Sequence, residues 1–152
     1  MLALLLGTTL GCGSTAHKKT EADKLTPPML GACRTVAPKD TEQSSNASPI
    51  VACNSKHTAE TFAIGTFPAA LADAPYDSVK LGQYIYPVCG KAYLRFLGSD
   101  ESLAQRSLLS WAWFRPSAAA WGRQARWYRC DVVGGPAGAS TSRSLPQTAK
   151  AF

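Results

Sequence analysis

Apolar side chains recur with two different periods along this chain of 152 residues, and each change of period marks a change of element. "PIVACNS" is a β-branched apolar run bounded by Pro49 and Asn54, which predicts a strand; "ETFAIGTF" alternates, placing Phe62, Ile64 and Thr66 on one face of a second strand. In "APYDSVKLGQYIYPVCGKAYLRFLGS" the period lengthens: Val88, Ala92, Tyr93, Phe96 and Leu97 form the stripe of an amphipathic helix that carries Cys89 and stops at Gly98. "SDESLAQRSLL" predicts a short second helix, with Ser99 or Asp100 as N-cap and Leu103 and Leu108 inward. "WAWFRP" is too aromatic and too short for another helix and ends at Pro116. "RWYRCDVVG" returns to alternation, with Tyr128, Cys130 and Val132 on one face of a strand and Trp127, Arg129 and Asp131 on the other.

These elements predict an α+β domain over about residues 30–133, a small antiparallel sheet with one or two helices packed on it. The remainder lacks core periodicity. Residues 13–29 are polar and end in Pro-Pro, which reads as a tether. "APKDTEQSSNASP", residues 37–49, reads as an exposed excursion inside the domain, and the Gly/Pro/Ser-rich stretch 134–152 as a flexible tail or the start of a second half.

The first line of the sequence supplies a location. "MLALLLGTTLGC" is uncharged, has the length of a signal-peptide core, and falls short of the ~20 residues that cross a bilayer. Small residues leading to Cys12, followed by a polar run, resemble the processing site of bacterial lipoproteins. Residues 1–12 are therefore expected to act as a signal ending at Cys12, which would carry lipid and hold the protein on the extracytoplasmic face of the cell membrane. The first basic side chain is Lys18, and Thr9 stands where such sites usually have Leu.

Once Cys12 is assigned to lipid, Cys33, Cys53, Cys89 and Cys130 remain, an even set in an oxidising compartment. Three pairings are open. Cys33 with Cys53 and Cys89 with Cys130 close the shorter loops, worth roughly 3 and 4 kcal/mol by chain entropy.

Composition changes the picture in one place. The hydrophobic fraction of 45% with 17% charged residues indicates a globular chain of formal net charge +6. Between Ala104 and Cys130 there are five arginines (Arg106, Arg115, Arg123, Arg126, Arg129) and no acid, interleaved with Trp111, Trp113, Phe114, Trp121, Trp127 and Tyr128. Guanidinium groups beside aromatic faces suit phosphate, carboxylate or sugar-ring recognition. Trp121, Arg123 and Arg126 lie in "AAAWGRQAR", a turn off any periodic face, and are the candidates for contact with a partner. The remaining aromatics are expected to fill the core. The same chemistry binds single-stranded nucleic acid, a partner that an exported chain seldom meets, so no nucleic acid is expected.

The other candidate is "VACNSKHTAET", which spaces Cys53, His57 and Glu60 four and three residues apart. Zinc needs three or four converging donors, and the chain's other histidine, His17, sits in the expected tether. A nucleophilic thiol must stay reduced, whereas Cys53 is expected in a disulfide. No metal, cofactor or catalytic residue is therefore assigned: Cys53 is expected to be structural, and His57 and Glu60 to be surface residues of the loop between two strands or to pair across it and fix it. There is no repeat, Gly-rich phosphate loop or Cys-x-x-Cys.

The ordered set "GACRTV", "VACNSKHTAETFAIGTFP", "PVCGKAYLRFLG", "WFRP" and "WGRQARWYRCDVV" resembles the septum-formation domain family of bacterial envelope proteins, over roughly residues 30–133. The resemblance implies an exported or membrane-anchored protein with a role around the division septum and supplies no catalytic residues. Longer members continue into a second half with another cysteine–histidine element, and Phe152 comes before it. The sequence thus predicts a non-enzymatic, lipid-anchored envelope domain that binds an envelope protein or an anionic wall polymer through its Arg/Trp segment. The alternative is a small metal-binding protein or hydrolase centred on His57 and Glu60.

Overall fold

In a computed structural model, described over residues 19–98 and 109–134, the strands are Cys33–Arg34 (β1), Ile50–Val51 (β2), Ala59–Thr66 (β3), Ser110–Phe114 (β4) and Trp127–Val133 (β5). Among the described residues, a helix, Val79–Leu97 (α1), and a short one, Ala118–Gly122 (α2), complete the regular structure apart from three 310 turns. The strands form one antiparallel sheet in the order β2-β1-β3-β5-β4, so the α+β expectation holds. Cys12, the helix expected from Ser99 and the tail beyond residue 134 lie outside the described residues.

Helix α1 starts where the Ser78 side chain accepts from the Lys80 amide, and it ends at Gly98, whose left-handed φ of 63° is open to glycine without a Cβ penalty. Its buried ridge is Leu81, Ile85, Cys89, Tyr93 and Leu97, an i, i+4 line. The sequence stripe shares Tyr93 and Leu97 with this ridge, while Val88, Ala92 and Phe96 flank it half-buried. The ridge runs through Cys89 because that residue is bonded to Cys130 on the central strand β5, fixing which line of the helix meets the sheet. Cys33 and Cys53 form the second disulfide and join β1 to the turn after β2.

On β3 the alternation breaks. The β3–β5 register slips between Thr61 and Ala63, so Phe62 is an extra residue on β3. Phe62 and Ala63 both pack toward α1, and Ile64 and Thr66, expected to share the face of Phe62, are exposed instead. Gly65 then sits opposite Tyr128, where a Cβ would fall onto the phenol ring and hydroxyl. The missing side chain leaves room for Tyr128 to pack against Phe67 and Tyr84.

The second face of the sheet is also covered, which periodicity did not predict. All seven residues of β5 are buried. The set expected on the face opposite Tyr128, namely Trp127, Arg129 and Asp131, lies under the N-terminal segment and the 37–49 excursion. Residues 19–24 are therefore part of the domain rather than tether. Glu21–Asp23 form a 310 turn with Ala22 buried, and the Lys24 carbonyl accepts from Trp127 Nε1 at 2.9 Å. From the excursion, Asn46 is buried and accepts from Arg129 Nη2 at 2.9 Å.

Between these layers lies a closed polar network. Arg34 donates to Thr61 Oγ1 at 2.6 Å, and Thr61 donates to Asp131 Oδ1 at 2.7 Å. Arg129 Nε donates to Asp131 Oδ2 at 3.0 Å. Glu21 closes the circuit, pairing with Arg34 Nη2 and with Arg129 Nη1. Two cations face two anions, so no net charge is buried, the condition under which such a cluster is tolerated.

Gly65→Ala is expected to lower the unfolding free energy by about 1–3 kcal/mol through overpacking against Tyr128. A urea melt checks it, and an unchanged midpoint would place Tyr128 elsewhere.

Candidate functional site

Among the described residues, the concentration of arginine in the sequence does not become a basic surface, and Arg106 lies outside them. Arg129 is fully buried in the network, and burial pulls its guanidinium below the ordinary value, with Asp131 opposing and Arg34 adding to the shift. Arg115 is 7% exposed, lies 4.3 Å over the Tyr76 ring, and donates to Ser44 Oγ at 2.7 Å.

Arg126 lies 4.2 Å over the Trp121 ring and donates to the carbonyls of Ala72 (2.5 Å), Trp121 (2.6 Å) and Ala125 (2.9 Å). Trp121 is 5% exposed, donates from Nε1 to the Ala74 carbonyl and packs edge-on against Phe67 and Tyr76. The first part of the stretch read as a turn is helix α2, capped by Ser117 Oγ accepting from the Ala120 amide, and it aims Trp121 inward, while Arg123 and Arg126 follow in the connection beyond it. Of the three candidate contact residues, only Arg123 is exposed, and it donates to the Asp23 carbonyl at 2.9 Å.

The aromatic surface lies elsewhere in the same segment. On the edge strand β4, Trp111 and Trp113 are half-exposed, and Tyr86, 63% exposed on α1, meets Trp111 edge-on at 5.6 Å. Together with Glu42, Gln43 and Ser44 from the excursion they line a groove of about 510 Å³. Sequence reasoning missed Tyr86 because it sits on the polar side of the helix. It missed the excursion because nothing local says which strand edge a loop will meet.

The cysteine–histidine element assembles differently from its spacing. His57 is fully buried, and its Nδ1 lies 2.8 Å from the Ser55 carbonyl. Its Nε2 is buried with no hydrogen-bond partner. The β1–β3 register sets Cys33 opposite Glu60, and Cys33 Sγ, a His57 ring nitrogen and a Glu60 carboxylate oxygen lie within 4.8 Å of one another. The sulfur that meets His57 and Glu60 is thus Cys33, from another strand, with Cys53 behind it through the disulfide. A sulfur held in a disulfide is no thiolate, so in this state it offers neither a nucleophile nor a metal ligand.

The septum-formation family model matches residues 30–151. The chain belongs to this family. No curated relative and no solved structure matches it. The family match runs past the described residues and begins after Glu21, so the segment that closes the charge network lies outside the matched range. Among the described residues, no helix is long and apolar enough to cross a membrane.

Asp23 ties the N-terminal turn to α2 and carries a pH signature. The Ser117 hydroxyl (2.7 Å), and then the Thr20 amide and hydroxyl, hold its carboxyl below the ordinary 3.8. A lowered folded value means the stabilisation is complete above the unfolded pKa and is lost as pH falls through the folded one. The melting temperature of Asp23→Asn should lie below that of the parent by a constant gap from neutrality to about pH 4, and the gap should close below that. A gap independent of pH would contradict the assignment.

Proposed function

We propose that this septum-formation domain is a non-enzymatic module of the cell envelope, held at the membrane by lipid on Cys12, that binds a wall glycan in the groove of Tyr86, Trp111 and Trp113. The groove carries this reading. Three aromatic faces offer flat apolar surface to a sugar ring, and Glu42, Gln43 and Ser44 stand beside them as hydrogen-bond partners for ring hydroxyls. The two disulfides favour an oxidising compartment, in keeping with an extracytoplasmic position. The formal charge of +6 favours an anionic wall over a neutral one.

The partner contact therefore moves within the Arg/Trp segment. Trp121 and Arg126 hold α2 to the body of the domain, whereas Trp111 and Trp113 pack half-buried against the core and present their exposed parts to the groove. Arg123 remains available at the far end of the segment.

Calorimetric titration with soluble wall glycan fragments tests the proposal. Trp111→Ala and Tyr86→Ala should each weaken binding by at least about tenfold, a loss of 1.4 kcal/mol, with an unchanged melting temperature in the exposed Tyr86 variant. Arg123→Ala should leave binding unchanged. Binding that survives both aromatic substitutions, or that no glycan fragment shows, overturns the reading. Retention of an envelope protein along the open edge of β4 in place of glycan also overturns it.

A further inference from the structure

The surroundings of the Cys33–Cys53 disulfide are those of a metal site locked by oxidation. We infer that, once this disulfide is reduced, Cys33, Cys53, His57 and Glu60 bind a divalent zinc-like cation, making the element a redox-gated metal site.

The imidazole is already arranged as a ligand. A carbonyl can only accept, so the contact with Ser55 places the proton of a neutral His57 on Nδ1 and leaves a lone pair on Nε2. Metal-bound histidines are held this way, with the second ring nitrogen donating to a carbonyl or carboxylate. The Nε2 lone pair is buried and meets no donor, a cost that a metal ion would relieve.

Cys33 Sγ, a His57 nitrogen and a Glu60 oxygen within 4.8 Å need only a small closure. Around zinc, with bonds of about 2.0–2.3 Å, tetrahedral ligand atoms sit roughly 3.3–3.8 Å apart. Cys53 supplies the fourth donor, since its sulfur is bonded to that of Cys33 and the two Cα atoms are 5.3 Å apart.

Access differs between the two disulfides. Cys89 and Cys130 are fully buried, and so is Cys33, but Cys53 is exposed. A thiolate of a protein dithiol can therefore attack Cys53 Sγ. The S–S bond breaks and Cys33 departs as a thiolate with the electron pair. The second thiol of the reductant resolves the mixed disulfide, frees Cys53 and leaves the reductant oxidised to its own disulfide. Capture of M2+ by the two thiolates releases two protons to solvent, so two electrons and two protons leave the dithiol for each metal bound.

The test uses the full chain with Co2+ as probe. The protein is treated with a phosphine reductant, freed of it under anaerobic conditions and titrated with Co2+. The reduced chain should bind one equivalent with the visible ligand-field and thiolate charge-transfer bands of a tetrahedral thiolate site, and the oxidised chain should show neither. His57→Ala and Glu60→Gln should each weaken binding by more than about tenfold, while Cys12→Ser changes nothing. The glutamine variant keeps a polar group of the same size, so it remains informative should His57→Ala not fold. A reduced chain that gives no such bands overturns the proposal, whether folded or unfolded, as does full binding by both His57→Ala and Glu60→Gln or loss of the bands in Cys12→Ser.

Discussion

Four charged side chains that cannot be left unpaired out of water hold the two halves of this structure in register. Arg34 and Arg129 are fully buried on the second face of the sheet, and each needs an anion within hydrogen-bond reach. Asp131 serves Arg129 directly and Arg34 through Thr61, and Glu21 serves both. Because Glu21 comes from the N-terminal segment, satisfying the arginines requires that segment to cross the sheet. Once there it also covers Trp127 and brings Asp23 to the cap of α2.

That constraint leaves the sheet sandwiched, with α1 and its disulfide on one side and polar-lined coil on the other. The second layer explains why an arginine-rich segment yields so little basic surface. Its guanidinium groups serve as internal donors to carbonyls, carboxylates and ring faces, a use for which a planar, five-donor group is suited. What stays open is the rim: the groove at the β4 edge and the Cys33–Cys53 turn near the opposite edge of the sheet. The groove proposed for binding and the disulfide proposed as a gated site thereby lie apart on one small domain.

The helix, its glycine stop, the long strands and the alternation on β5 were legible because each is a local pattern of burial with a fixed period. The pairing of the cysteines followed from loop length. The bulge at Phe62 was not legible, since alternation carries no mark of where a residue will be skipped. The tether was misread for a related reason: Glu21 looks like a solvated charge until the buried arginines that need it are located, and those are encoded up to 108 residues away. The site was half legible. Cys53, His57 and Glu60 are neighbours in sequence, but the sulfur that reaches the histidine comes from Cys33 through strand register. Trp121 and Arg126 were singled out because they lie off any period; a short capped helix turns Trp121 inward, and Arg126, beyond that helix, is held by backbone carbonyls and the Trp121 ring.

The central claim is that Glu21 is an internal counter-ion of the domain. The direct measurement is the urea-unfolding free energy of Glu21→Gln against the parent chain at neutral pH. Removal of one partner from a buried ion cluster should cost about 3–5 kcal/mol. A loss within about 0.5 kcal/mol, the value for a solvated surface residue, would mean that the N-terminal segment does not pack on the sheet.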